Sequence, residues 1–153
     1  MTADEPLRSL RWWLRGVGSL YLAMFVIAVV ARLPIREMGP PGVLDDAAAG
    51  DATARLLVDT WVIFGLELGI VGAVLWFASR TPERARPLVW AVVAIEAVRG
   101  IGADVYMLAR GYEAAPQVIW IAVHLVVIGT ALRCLRSPEM RHGAEENRAT
   151  FAA

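Results

Sequence analysis

The sequence predicts an all-α integral membrane protein, a four-helix bundle with both termini in the cytoplasm, and three observations lead there. Of 153 residues 58% are hydrophobic and the mean hydropathy is +0.53, too apolar for an ordinary water-soluble domain. The apolar residues gather into four runs, Gly16 to Ala31, Leu56 to Ser79, Pro87 to Ala109 and Ala114 to Leu132, each near the ~20 residues that a hydrocarbon core of ~30 Å demands of a helix. All fifteen basic residues are Arg, and they divide unevenly. Arg8, Arg11, Arg15, Arg80, Arg84, Arg86, Arg133, Arg136, Arg141 and Arg148 fall on one side, and Arg32, Arg36, Arg55 and Arg110 on the other. The positive-inside rule assigns the richer side to the cytoplasm. Arg99 lies within the third run and is not counted.

The first helix is expected at about 13–33, with Trp12 and Trp13 anchoring it at the interface and Arg15 snorkelling. A competing reading treats Val29-Val30-Ala31 as a signal-peptide cleavage site, but three residual helices would leave the C-terminal arginines on the wrong side. The connection from Leu33 to Arg55 is rich in Pro and Gly, then acidic, and reads as an outer loop with a short surface helix capped by Asp45 or Asp46. The second helix follows at 56–79. Arg80 to Arg86 forms a short cytoplasmic turn into the third helix at 87–109, and Arg110 to Ala115 leads to the fourth at 115–135. Short connections make these last three helices antiparallel neighbours. Residues 1–136 thus form one transmembrane domain, and 137–153 a polar, disordered cytoplasmic tail. Arg80-Thr81-Pro82-Glu83 is echoed by Arg136-Ser137-Pro138-Glu139, which two related hairpins would produce and which recurrent helix-start chemistry also explains.

Chemistry could reside in ionisable residues inside these runs. Glu67 and Arg99 fall at nearly the same depth in the second and third helices, so they can meet. At 100° per residue Glu96, Arg99, Gly100, Ala103, Asp104 and Met107 share an arc of roughly 140°, which must face protein. Gln117, Trp120 and His124 line one stripe of the fourth helix. The expected interior therefore contains Glu67, Glu96, Arg99, Asp104 and His124, with Asp59 nearer the interface. An uncompensated charge at mid-membrane costs from about 3 to more than 10 kcal/mol. One guanidinium offsets one or two carboxylates, so at least one of Glu67, Glu96 and Asp104 should be protonated or hydrated.

Other chemistries find less support. A formal net charge of zero gives no attraction to nucleic acid, and the single Cys134 excludes an internal disulfide. No cofactor or metal site is expected, because the Glu-x-x-His pairing of di-iron bundles is absent. No catalytic residue is assigned, since Ser79 and Cys134 lie at the cytoplasmic edge, far from His124. Gly65, Gly69 and Ala73 form a small-residue stripe that suits packing against helix one or three, or else a homodimer. The abundance of Ala, Gly and Arg without Lys suggests a bacterial inner-membrane protein from a GC-rich genome.

Four stretches, Leu10-Arg11-Trp12-Trp13-Leu14-Arg15, Arg32-Leu33-Pro34-Ile35-Arg36, Val58-Asp59-Thr60-Trp61 with Gly65-Leu66-Glu67, and Arg99-Gly100 with Asp104-Val105-Tyr106-Met107, resemble the BphX-like family. The resemblance implies a small four-helix bacterial membrane protein, some relatives of which are encoded beside aromatic-hydrocarbon degradation genes, and supplies no catalytic residues. Three roles stay open. One is a binding or transport accessory for protons or a small apolar or aromatic ligand. The second is a structural or partner-binding protein whose buried charges only fix packing, and the third a membrane-embedded acid–base enzyme.

Overall fold

The computed structural model describes residues 4–32 and 41–136. Among them every regular element is helical: α1 (Asp4–Phe25, continued by a π turn at Val26–Val30), α2 (Val43–Ala49), α3 (Ala52–Ala78), α4 (Arg86–Ile95, a π turn at Glu96–Ile101, then Gly102–Ala109) and α5 (Ala114–Leu135). A single 3-10 turn, Pro82–Arg84, lies between α3 and α4. Five helices therefore stand where four were expected. The expected tail and most of the Pro/Gly-rich stretch lie outside the described residues, as does the second half of the Arg-Ser-Pro-Glu echo.

Three helical stretches, Leu7–Val30, Ala52–Ala78 and Ala114–Leu135, are long and apolar enough to cross a membrane. Their large apolar residues point outward: Leu56, Ile63, Ile70 and Phe77 on α3 and Val118, Ile119, Leu125 and Val126 on α5 are all exposed. A helix in water hides such residues and shows polar ones, so this pattern agrees with the length and apolarity of the three stretches. The fourth expected span, α4, carries Glu96, Arg99 and Asp104 in its middle, which removes it from the apolar set.

The chain divides into two compact units, residues 1–14 with 78–153 and residues 15–77. In the second unit α1 and α3 run antiparallel through a seam lined on α3 by Gly65, Gly69 and Gly72. A Cβ on Gly72 would lie 2.9 Å from the carbonyl oxygen of Gly18 and 3.0 Å from the backbone nitrogen of Leu22. Phe25 lies against Gly69, and Ala28 and Val29 against Gly65. The small-residue stripe thus meets α1 at Gly65 and Gly69, the packing against helix one that the sequence allowed. Close approach of backbones is what such stripes permit where lipid gives no hydrophobic drive to associate. At the end of the seam Trp76 Nε1 donates to Ser19 Oγ at 3.1 Å and the Arg15 guanidinium stands 5.6 Å from the Trp76 ring centroid.

Helix α2 was expected to be capped by Asp45 or Asp46. Its N-cap is instead Gly42, in the left-handed region at φ 80°, and the two aspartates occupy the first turn, where their charge suits the helix dipole. Val43 is buried and packs with Ala54, Leu57, Val58 and Trp61, so α2 is a docked element, not a free surface helix. Asp51 caps α3 by accepting from the Ala54 N–H at 2.7 Å.

In the first unit α1 starts at Asp4, well before the expected residue 13. Trp13 is buried, and its Nε1 donates to Thr130 Oγ1 at 3.0 Å. Thr130 in turn bonds the carbonyl of Val126 at 2.7 Å. Trp13 is therefore an interior contact and not the exposed anchor expected, whereas Trp12 is 60% exposed. The glycines discriminate between close packing and open space. Replacing Gly72 by Ala places a methyl group against backbone, and we expect a loss of about 1–3 kcal/mol. Gly16→Ala meets nothing within 4 Å and should be neutral or gain up to about 1 kcal/mol of helix propensity. Denaturation of both variants in detergent measures the contrast.

Candidate functional site

Helices α4 and α5 pack along their length within the first unit. Midway, the imidazole of His124 reaches from α5 to two acids of α4. Its Nδ1 is hydrogen-bonded to Glu96 Oε2, and its Nε2 lies 3.5 Å from Asp104 Oδ2. Glu96 is 4% exposed and Asp104 8%, so both carboxyls are withdrawn from solvent. Asp104 Oδ2 is buried and has no hydrogen-bond partner among the described residues. The two contacts are unequal, one closed and one open.

The backbone explains how two acids eight residues apart flank one ring. In an uninterrupted α-helix residues eight apart differ by about 80° around the axis, whereas residues seven apart differ by about 20°. The π turn at Glu96–Ile101 takes in one extra residue, with the Gly102 N–H donating to the carbonyl of Ala97 five positions back. Eight residues then span about two turns, and Glu96 and Asp104 return to the same face. Gly100 lies between them on that face. A Cβ there would stand 2.6 Å from both Nδ1 and Cε1 of His124, so the ring occupies the space that a side chain would fill.

Arg99, placed with Glu96 and Gly100 by uniform 100° spacing, lies within the π turn and is exposed. Glu67 lies on α3, in the other unit, and is exposed. Glu96, Asp104 and His124 meet within the first unit. On α5 the expected stripe holds: Gln117 is 4% exposed, Trp120 is half-buried, and its ring lies 6.3 Å from that of His124 at an interplanar angle of 35°. Gly100 was placed in the arc by sequence, but its role as the seat of the imidazole depends on a helix register that uniform periodicity does not reveal.

Chemically the cluster is an acid–imidazole–acid chain. Both contacts are satisfied by two hydrogens, carried either as an imidazolium between two carboxylates or as a neutral imidazole with one neutral acid. The two arrangements have the same net charge, so a proton crosses from ring to acid without adding charge to the apolar surroundings. Both ring nitrogens face acids, which leaves no lone pair directed at a metal ion. Among the described residues no group of three acid, His or Cys side chains is placed to hold one. Cys134, by contrast, is buried at the far end of α5 with Ser9 Oγ at 3.5 Å from its sulfur. Gly100→Ala should displace the ring and cost about 1–3 kcal/mol by overpacking, while Gly102→Ala, whose Cβ would meet only the Ala97 carbonyl at 3.8 Å, should not. Thermal denaturation of the pair, with the His124 imidazole nitrogen resonances followed alongside, tests this.

Two kinds of comparison place the chain among known proteins. The sequence pattern of the BphX-like family matches residues 7–140. Uncharacterised BphX-like proteins of Burkholderia cepacia and of Paraburkholderia xenovorans strain LB400 are each 30% identical to it, over 86% of this chain and 94% of theirs. No solved structure matches. With the match covering every described helix from Leu7 onward, this chain belongs to the BphX-like family.

Proposed function

We propose that this chain is a multi-pass protein of the bacterial inner membrane that binds a proton at the Glu96, His124 and Asp104 cluster and relays it, as an accessory to the movement of a small species across that membrane. The observation that carries the proposal is the imidazole with each nitrogen turned to a withdrawn carboxyl. Intramembrane ionisable residues cost several kcal/mol and persist where they bind or conduct. A histidine relays because its two nitrogens exchange roles, one taking a proton as the other gives one up.

The topology supports the same reading. Helix α4 extends from Arg86 to Ala109, long enough to be a fourth crossing beside the three apolar spans. With four crossings the Arg-rich segments fall on one side and both termini in the cytoplasm.

The test is stability against pH in detergent or nanodiscs. Wild type should show a pH-dependent step in stability with a slope of up to about 1.4 kcal/mol per pH unit for one linked proton. Glu96→Gln, Asp104→Asn and His124→Asn should each remove that step. A wild type without the step, together with variants that lose stability equally at every pH, would leave the acids as packing elements and overturn the relay.

A further inference from the structure

We propose that the π turn of α4 is a register switch that connects and disconnects Asp104 from His124; this rests on the relay reading above and concerns its regulation. A π turn is one surplus residue held within an α-helix. If the surplus passes outward along α4, residues seven apart become aligned, and Ala103 takes the position of Asp104 opposite the imidazole while Asp104 rotates away by about 100°. The Glu96 contact, at the inner edge of the turn, stays in place.

Three features of the structure suit this exchange. The contacts are already unequal: Glu96 is hydrogen-bonded to the ring, whereas Asp104 stands off at 3.5 Å with Oδ2 unbonded among the described residues. The residue that would rotate in, Ala103, is small and now exposed, so it meets the imidazole without a clash. Gly102, at the outer edge of the turn, has no packing reason to be glycine, since a Cβ there would touch nothing but the carbonyl of Ala97 at 3.8 Å. A glycine in an exposed helix interior weakens the helix locally, and here it does so where the surplus residue must pass. Beyond Ala109 the helix ends at Gly111, φ 83°, an open turn with nothing within 4 Å that can take up one residue. The groups that face His124 from α4 are Glu96 and Asp104, with Gly100 between them; from α5 Trp120 lies alongside.

The experiment uses the full chain in nanodiscs with 15N-labelled histidine, reading the His124 ring by relaxation dispersion. Wild type should exchange between two states on the microsecond-to-millisecond scale of helix register shifts. Gly102→Ala should slow that exchange about fivefold, the factor that corresponds to ~1 kcal/mol of helix propensity. Deletion of Val98, 77% exposed within the turn, removes the surplus residue, aligns Asp104 with Glu96 in a plain α-helix, and should abolish exchange while the pH step persists. Absence of exchange in wild type, or exchange unchanged by both variants, overturns the switch. Loss of the pH step from wild type is a separate result that overturns the relay itself, so the two failures are distinguishable. Gly102→Ala alone decides the matter should the deletion fail to fold.

Discussion

The imidazole of His124 held between Glu96 and Asp104 is the constraint to which α4 and α5 conform. It requires two acids on one face of α4 and an empty position between them, and an ideal α-helix supplies neither from residues 96 and 104. The π turn realigns the acids, and Gly100 provides the space. Each of these features is unfavourable alone. A π turn has poorer hydrogen bonding than an α turn, and a helical glycine forfeits up to about 1 kcal/mol. In return, two carboxyls withdrawn from solvent gain an imidazole between them.

Glycine serves a different purpose in the other unit. There Gly65, Gly69 and Gly72 admit the side chains and backbone of α1, and the gain is many weak dispersion contacts over a long seam. At Gly100 a single glycine admits a single ring, and the gain is directional. Substitution harms both sites, but through different observables: separation of two helices in the first case, and the protonation and orientation of one histidine in the second.

How far the sequence was legible follows from this distinction. Hydropathy placed the helices from residue 56 onward to within a few positions, because span length and turn chemistry at Pro82 and Gly111 are local properties. Uniform periodicity also placed Glu96, Gly100 and Asp104 on one broad arc. It did not reveal the π turn that aligns Glu96 with Asp104, since a single surplus residue changes the angle of everything beyond it and leaves no compositional trace. Trp13 was misplaced for another reason: a tryptophan flanked by arginines reads as an interfacial anchor, and its bond to Thr130, 117 residues away, is a tertiary fact. Helix α2 was anticipated in the acidic loop, but Gly42 took the capping role because a left-handed residue can start the chain's turn without a side-chain oxygen.

The remaining question is whether the buried acids serve packing or proton chemistry, and the inequality of their contacts bears on it. A network selected only to fix helix register gains most when every lone pair is satisfied, because each unsatisfied buried acceptor subtracts about 1–3 kcal/mol. Glu96 meets that standard, and Asp104 Oδ2, buried 3.5 Å from a ring nitrogen, does not. A proton relay has the opposite requirement: a link too well satisfied holds its proton, and passage needs one contact that forms and breaks. The bond at Glu96 fixes the ring while Asp104 keeps an acceptor open beside it, and this inequality is what supports the relay proposed above over packing alone.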